Sequence, residues 1–287
     1  MRLASFATHA QSPAITDDDR LAADCLRERG VEILAIPWDA PDVDWDAFEA
    51  VVIRSTWDYH LKVDAYAGWV RSFLSRPGRL WNPPRAVLDT LDKRYLIDLA
   101  RKGVDVVPTE YVEAGAGQEL LAVAGRHGWS EIVVKPAVSA SARGTWRSSG
   151  DSPEGQERFA AQSLVQDVLV QPFCPEVVSS GEWSIVFLGG EYSHAVLKRP
   201  GEGDFRVQRH FGGSPLAAVP GARLIEQASA ILAEIGGPLL YARVDGIERR
   251  GTFLLMEVEV NEPYLFLSFS AEAPARFARA LMRLAGA

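Results

Sequence analysis

Cysteine is scarce in this sequence, which contains only Cys25 and Cys174. The two are far apart and form no CxxC pair, so a disulfide scaffold is excluded and reduced thiols in a cytoplasmic protein are expected. The five histidines show neither HExxH nor a His/Cys spacing suited to zinc. The serine-hydrolase motif GxSxG, the phosphate-loop motif GxxxxGK and the dinucleotide motif GxGxxG are missing as well. These absences disfavour serine hydrolases, zinc enzymes, Walker-type ATPases and standard dinucleotide enzymes.

Long apolar runs and excess positive charge are also missing. No apolar run approaches the roughly 18 residues of a membrane-spanning helix, and the first residues lack the apolar core of a signal peptide. The chain has 30 Lys and Arg against 38 Asp and Glu, a net charge of −8. We therefore expect binding to neither nucleic acid nor membrane.

Arginine is the usual cation of this sequence, so a lysine is the more specific choice, because its compact ammonium suits phosphate. The lysines are Lys62, Lys93, Lys102, Lys135 and Lys198.

The pattern of apolar residues predicts an α/β fold whose second half is α+β. Over the first 80 residues, strands such as MRLASFA and VEILAIPW alternate with helices, which indicates a parallel sheet. The segment RLWNPPRAV, with its paired prolines, is interpreted as a linker. The later segments EWSIVFLGGEYSHAVLKRP and YARVDGIERRGTFLLMEVEV are predicted to be β-hairpins. The stretch SASARGTWRSSGDSPEG, small and polar, is predicted to be flexible.

The second hairpin carries the clearest chemical pattern. A turn centred on Arg250 places Arg243 opposite Glu257, with Asp245 and Glu259 on the same face. The other face is then a core stripe, while Phe253 and Leu255 interleave with the acids. Three carboxylates at this density suit Mg²⁺ bound together with nucleotide phosphates; the alternative is a solvated face balanced by Arg243. The predicted core stripe is Ala242, Val244, Leu254, Met256, Val258 and Val260.

A lysine at the end of an apolar strand gives a second indication. Lys135 ends the strand IVVK and is followed by the small-residue loop SASARG. A lysine there can pair with phosphate, and backbone N–H groups of such a loop can approach phosphate oxygens closely.

A third group of candidate site residues follows the carboxyl end of the strand AVVI, where parallel sheets bind their ligands. Arg54 is suited to a carboxylate and Asp58 to an ammonium group, which suggests a small amino-acid-like substrate. The alternative is that Trp57 and Tyr59 are packing residues and Asp58 caps a helix. The substrate candidates here are Arg54, Ser55, Thr56 and Asp58.

Taken in order, LDKRYL, VVKPA, VQPF, EWSIVFLGGEY, LKRP, a Gly-Gly loop, YARVD and LLMEVEV resemble the ATP-grasp superfamily over residues 82–264. The similar branches are the glutathione synthetases, the D-alanine–D-alanine ligases and the ribosomal-protein glutamate ligases. The segments RSTWDY and MEVEVNEP are similar to a subgroup that includes the ligase closing the ring in D-cycloserine biosynthesis. The resemblance implies an ATP-grasp fold with an N-terminal α/β domain (1–88), a central subdomain with a phosphate loop (89–170) and a C-terminal subdomain with a metal site (171–287).

The resemblance also implies roles for individual residues. Where the family commonly has Glu-x-Asn, this sequence has Glu257-Val-Glu259, and a shift of two residues gives Glu259-Val-Asn261 instead. Both alternatives stay open. The implied catalytic residues are Arg243, Lys198 and Arg206. The implied ATP-binding residues are Lys93, Lys135, Ser139, Ser141, Gly144, Gln171, Pro172, Phe173 and Glu182, with Glu176 as competitor for the ribose. The implied metal ligands are Asp245, Glu257, Glu259 and Asn261, and the Gly212-Gly213 loop is assigned to the substrate.

The implied activity is an ADP-forming carboxylate–amine ligase that uses ATP and two Mg²⁺ ions, with Mn²⁺ as a substitute. It would activate a small amino-acid-like substrate as an acyl phosphate, and either ring closure or the joining of two molecules fits. Two other functions remain open, namely an ATP-binding regulatory or scaffold module without ligase activity and a phosphotransferase that stops at phosphorylation. A homodimer is a further expectation.

Overall fold

A four-stranded parallel sheet forms the N-terminal part of the molecule in a computed structural model that describes residues 1–286, apart from the side chain of Arg209. Its strand order is β2-β1-β3-β4, and every pairing is parallel, as the alternating pattern predicts. The helix α1 begins at the cap of Thr16, whose side chain accepts from the backbone N–H of Asp19. The elements are β1 (Leu3–Thr8), α1 (Asp17–Arg27), β2 (Glu32–Pro37), β3 (Ala50–Ile53), α2 (Val63–Ser72) and β4 (Leu80–Trp81).

The segment interpreted as a linker is part of the fold, so that prediction was wrong. Its residues Leu80 and Trp81 form β4, and Pro84 begins the helix α3 (Pro84–Thr90), where a missing N–H costs nothing. Between them, the buried Asn82 donates to the carbonyls of Tyr241 and Val260, at 2.8 and 2.6 Å. Asn82, directly before the paired prolines, therefore joins the N-terminal sheet to a distant part of the chain.

The central sheet is antiparallel and has the order β5-β8-β6-β7. The predicted flexible stretch after Lys135 is only partly a loop, because Trp146–Ser149 pairs with β6 as β7 and Ser152 caps the next helix. The elements are α4 (Tyr95–Arg101), β5 (Glu110–Val112), α5 (Leu120–His127), β6 (Glu131–Pro136), β7 (Trp146–Ser149), α6 (Pro153–Val165) and β8 (Val168–Pro172).

The third sheet has the order β11-β10-β9-β12-β13 and contains both predicted hairpins. The first turns at Gly189 and Gly190, which both have positive φ. The helix α9 lies at the C-terminal end, and it packs against α1 and the N-terminal sheet through Phe277. The elements are α7 (Glu176–Ser179), β9 (Glu182–Leu188), β10 (Glu191–Arg199), β11 (Ser214–Ala217), α8 (Ala222–Ile235), β12 (Tyr241–Arg249), β13 (Thr252–Glu259) and α9 (Ala273–Leu284).

The register of the second hairpin differs from the predicted one by two residues. Arg243 lies opposite Glu259, not Glu257, and Asp245 lies opposite Glu257. Because the shift is even, the three acids and the arginine still share one face. A β-bulge follows, since Gly246 pairs with Leu255 and leaves Met256 as the extra residue.

The bulge also reverses the predicted faces on the turn side of the hairpin. Phe253 and Leu255 are fully buried against α8 together with Val244, and do not interleave with the acids. Leu254 and Met256 instead lie on the acid side, in a small apolar cluster with Ile247. The predicted core stripe is therefore wrong at two of its positions, because a bulge changes the alternation of side chains and leaves little trace in the sequence.

Candidate active site

A cavity of about 550 Å³ lies between the central sheet and the third sheet. This volume is typical of a pocket for a small molecule or cofactor. Its wall contains residues from distant parts of the sequence, among them most of the predicted site. The predicted residues that line it are Lys93, Lys135, Ser139, Ser141, Gln171, Pro172, Phe173, Glu182, Lys198, Arg206, Arg243, Asp245, Glu257, Glu259 and Asn261.

Arg243 organises the acids of the hairpin. Its guanidinium donates to Asp245, with an Nη2–Oδ2 distance of 2.9 Å, and also to Glu259. Although burial opposes ionisation, the charges of Arg243 and Lys198 hold the pKa of Asp245 at about 2. Burial raises the pKa of Glu259 to about 8 despite Arg243, and repulsion by Asp245 and Glu257 adds to it.

Lys198 lies between two buried acids. It pairs in register with Glu182 on the neighbouring strand, and its Nζ donates to that carboxylate at 2.6 Å and to Asp245 at 3.2 Å. Burial lowers the pKa of Lys198, but the two carboxylates outweigh it and the net shift is upward. The three side chains thus form one charged network, to which Ser184 adds a hydrogen bond to Asp245.

The other two predicted lysines approach the cavity from the central part of the chain. The Nζ of Lys93 lies 3.2 Å from Glu257 and donates to the carbonyl of Ser139 at 3.0 Å, which fixes the start of the predicted phosphate loop. Lys135, at the end of β6, is 3.5 Å from the carbonyl of Met256. Burial lowers the pKa of Lys135 to about 8, because no carboxylate pairs with it directly among the described side chains.

One end of the cavity is apolar. The side-chain amide of Gln171 donates to Thr109 at 2.8 Å, and Phe173 comes directly after β8 ends at Pro172. Val107 and Met256 belong to one apolar cluster and both line the cavity, so an apolar slot lies at this end. A flat aromatic base fits such a slot.

Glu182 and Glu176 are the two acids predicted to compete for the ribose. Of these, only Glu182 lines the cavity. Glu176 lies in α7 and forms a bidentate ion pair with Arg249, at 2.6 and 2.8 Å. Arg206 lines the cavity while pairing with its neighbour Asp204, at 2.7 Å, and it covers the ring of Phe211.

The substrate candidates after β3 do not line the cavity. Arg54 is buried, donates to Asp19 at 2.7 Å and to the carbonyl of Pro263 at 2.9 Å, and lies over the ring of Tyr241. Asp58 accepts from the indole of Trp38 at 2.8 Å and makes no side-chain cap bond. These contacts place both residues behind the cavity wall.

The remaining predicted residues lie around the cavity without lining it. Thr56 is 3.4 Å from the hydroxyl of Tyr66, and Ser55 is buried beside it. Gly144 closes the phosphate loop with a positive φ of 74°, and a Cβ there would meet the ring of Pro136 at 2.9 Å. Gly212 and Gly213 form the turn before β11; a Cβ on Gly213 would overlap the backbone of Val207.

Asn261 is held in one orientation by a helix of the N-terminal part. Its Oδ1 accepts from the hydroxyl of Tyr66 at 2.5 Å, which leaves its Nδ2 buried without a hydrogen-bond partner. An amide nitrogen is a donor and does not ligate a cation. The Oδ1 keeps a second lone pair that can ligate a cation, so Asn261 stays a candidate beside Glu257 and Glu259.

The donor chemistry of the cavity fits Mg²⁺. Among the described residues, no three His, Cys, Asp or Glu side chains converge into a ready metal cage. The acids are paired instead with Lys93, Lys198 and Arg243. Mg²⁺ is usually held by one or two carboxylates together with phosphate oxygens and water, so a nucleotide that brings its own oxygens suits this face of the hairpin.

Sequence reasoning missed Glu262, which lines the cavity and is buried. Burial raises the pKa of its carboxyl to about 7. Glu262 belongs to the segment MEVEVNEP, and its one signal in the sequence is its position directly after the predicted metal ligands. Tyr59 and Trp57, for which packing was the alternative, line the cavity as well.

Sheets in this arrangement, with such a cavity between them, form the ATP-grasp fold. A D-alanine–D-alanine ligase from Bacillus anthracis shares the fold, with a TM-score of 0.71 over 99% of this chain and 97% of that one, at 16% identity. None of the helices within residues 1–286 is long and apolar enough to cross a membrane.

More specific similarity lies with one ATP-grasp family. The family model described as D-cycloserine synthetase DcsG, N-terminal domain, matches residues 4–82. The cycloserine biosynthesis protein DcsG of Streptomyces lavendulae is 33% identical over 298 residues, which cover 98% of each chain. The crystal structure of a D-cycloserine synthetase DcsG matches with a TM-score of 0.84 and 31% identity, over 98% of this chain and 99% of that one. The chain belongs to the DcsG family of ATP-grasp ligases.

Proposed function

We propose that this protein is an ADP-forming ligase that activates the carboxylate of a small amino-acid-like substrate and joins it to an amine, closing a ring within one molecule. The observation that carries the proposal is the shared cavity, into which three buried lysines, Arg243 and the acid face of the hairpin all project. Membership of a family named for cycloserine biosynthesis supports ring closure in particular.

The proposed chemistry has two steps. A carboxylate oxygen attacks the γ-phosphorus of ATP, the bond between the β-phosphate oxygen and that phosphorus breaks, and ADP leaves. The amine then attacks the acyl carbon, phosphate leaves with its electron pair, and the amine loses a proton. Both steps concentrate negative charge, so cations aimed at one place lower the barrier without a covalent nucleophile.

Different residues of the cavity would contact the phosphates, the base and the ribose of the nucleotide. Lys93 and Lys135 would contact phosphates, with the Ser139–Gly144 loop closing over them, while Gln171, Pro172 and Phe173 would surround the base. Glu182 would hold the ribose. Lys198 and Arg243 would face the transferred phosphoryl group, and Arg206 lines the same cavity.

Asp245, Glu257 and Glu259 would hold Mg²⁺, two ions when ATP is bound, with Mn²⁺ as a substitute. When bound, the metal supplies positive charge to the phosphates. In the described structure these acids neutralise the cations. Nucleotide binding would therefore replace these ion pairs. The phosphates would contact the cations, and the metal would contact the acids.

The three-part division at residues 88 and 170 belongs to the same proposal. The segments 1–88, 89–170 and 171–287 would contribute the substrate side, the phosphate loop and the metal site. The boundaries are not strict, because α9 packs on the first sheet.

The test measures ADP from ATP and Mg²⁺ over a panel of amino acids, with and without hydroxylamine. We expect ADP release that depends on the amino acid, and a hydroxamate when hydroxylamine intercepts the acyl phosphate. Formation of AMP, or turnover that no amino acid stimulates, would overturn the proposal.

The metal part is tested by Glu257→Gln, with Glu248→Gln as the matched control. Glu248 lies exposed on β12, outside the cavity. We expect Mg²⁺ to strengthen ATP binding at least tenfold in the wild type and the control, and to have little effect on the folded Glu257→Gln variant. An undiminished response to Mg²⁺ in that variant would contradict the assignment.

A further inference from the structure

Glu262 is fixed in the cavity wall by two side chains from the N-terminal part of the chain. The indole Nε1 of Trp57 donates to the backbone carbonyl of Glu262 at 3.2 Å. The guanidinium of Arg54 donates to the next carbonyl, that of Pro263, at 2.9 Å. The predicted substrate residue Arg54 thus acts on the cavity indirectly, because it holds the segment that carries Glu262.

The carboxylate of Glu262 differs from the other acids of the cavity in forming no ion pair: Lys93 and Arg243 act on it only from further away. Glu182 and Asp245 share Lys198, Glu257 has Lys93, and Glu259 has Arg243. Among the described side chains, none of the Lys, Arg or His nitrogens forms an ion pair with Glu262, although it is 9% exposed. A buried carboxylate that is paired with no cation is costly, even with a hydrogen bond from its own backbone N–H, so this position suits a cation that arrives with a ligand.

The neighbouring groups favour an organic ammonium over a second metal. The Nδ2 of Asn261, adjacent in sequence, is a buried donor without a partner. Trp57 and Tyr59 supply aromatic surface to the same cavity. A metal would require further oxygen ligands, whereas a carboxylate, an amide donor and aromatic rings together match an ammonium group next to a carbonyl or carboxyl oxygen.

We propose that Glu262 binds the ammonium group of the substrate and thereby selects substrates that carry a free amine beside the reacting carboxylate. The amide of Asn261 donates to an oxygen of the same substrate. This inference rests on the proposed ligase function and adds to it the residue that determines specificity.

The test compares two ring compounds that differ only in the amine. Binding of D-cycloserine and of isoxazolidin-3-one, the same ring without the amino group, is measured by calorimetry in the presence of ADP and Mg²⁺. We expect the wild type to bind D-cycloserine at least tenfold more tightly. In Glu262→Gln this preference falls to about twofold or less, while the affinity for isoxazolidin-3-one and for ADP with Mg²⁺ is unchanged. Glu262→Asp retains part of the preference, and Glu248→Gln retains all of it.

The outcomes of this experiment distinguish failure of the role of Glu262 from failure of the proposed ligase function. Equal binding of the two rings by the wild type, or an unchanged preference in Glu262→Gln, would overturn the role of Glu262 and leave the ligase proposal standing. Loss of Mg²⁺-dependent ADP binding in Glu262→Gln would make Glu262 a metal ligand instead. If the wild type binds ADP and Mg²⁺ but neither ring, the proposed ring closure fails and this inference with it.

Discussion

At the scale of single residues, the five lysines separate into two groups. Lys93, Lys135 and Lys198 are 4%, 9% and 6% exposed and line the cavity. Lys62 and Lys102 have side chains about half exposed and pair with Asp39 and Glu234 at the surface. A compact ammonium on a flexible stem suits phosphate, and its pKa responds to burial.

Lys135 should make nucleotide binding depend on pH. Burial holds its pKa at about 8, so the side chain is charged below pH 8 and increasingly neutral above it. Phosphate binds the charged form, and binding above pH 8 therefore requires uptake of a proton. We expect the Kd for ATP at fixed Mg²⁺ to rise by up to about tenfold per pH unit above pH 8.

Substitution of Lys135 distinguishes its own titration from that of other groups. Lys135→Arg stays charged throughout and should not show this rise: between pH 7 and 9.5 its Kd, measured by calorimetry, should stay level or fall, because Glu259, whose pKa is about 8, loses its proton and becomes available to the metal. The surface variant Lys102→Arg should keep the wild-type slope. A wild-type slope in Lys135→Arg would show that another group is titrating.

Lys198 should matter for stability as well as for chemistry. Its removal leaves Glu182 and Asp245 buried without their shared cation. Breaking such a buried pair costs about 3 kcal/mol, and we expect Lys198→Met to lower the free energy of unfolding by that amount in urea. The matched Lys102→Met, which breaks an exposed pair with Glu234, should cost less than about 1 kcal/mol. Equal losses in the two variants would contradict the role of the buried network.

At the scale of elements, the hairpin of β12 and β13 determines how the acids are presented. Sequence alternation was sufficient to place Arg243, Asp245, Glu257 and Glu259 on one face, because an error of two residues in register preserves the face. It could not reveal the bulge at Met256. Bulges depend on how a strand bends over its neighbours, which is a tertiary effect.

Gly246 is the residue that permits this bulge. A Cβ on Gly246 would lie 2.4 Å from the carbonyl oxygen of Leu254 and 2.6 Å from the ring of Phe253. We expect Gly246→Ala to lower the free energy of unfolding by about 2 kcal/mol and to weaken Mg²⁺-dependent ATP binding. Gly68→Ala is the control, because this exposed glycine in α2 has open space around it, and alanine there should be neutral or slightly stabilising. A Gly246→Ala variant as stable as the wild type would show that the bulge has another cause.

At the scale of the whole molecule, distant parts of the chain build one site. The proline-rich segment predicted as a linker places Asn82 between two sheets, and Tyr66 of α2 holds Asn261 beside the acids. Local patterns do not report such contacts, since the partners are separated by well over 100 residues. This explains why the sequence indicated the acids, the lysines and the order of the elements but indicated neither Glu262 nor the position of Arg54 and Asp58 behind the cavity wall.

The central claim is that the cavity transfers the γ-phosphoryl group of ATP to a substrate carboxylate. It is tested most directly with an amino-acid substrate whose carboxylate oxygens are labelled with ¹⁸O, incubated with the protein, ATP and Mg²⁺. An acyl phosphate keeps one carboxylate oxygen in the new amide and releases the other with phosphate. Mass spectrometry should therefore find one ¹⁸O in the inorganic phosphate per ADP formed, together with a product that contains a single substrate molecule. Unlabelled phosphate, or ¹⁸O appearing in AMP, would contradict the account.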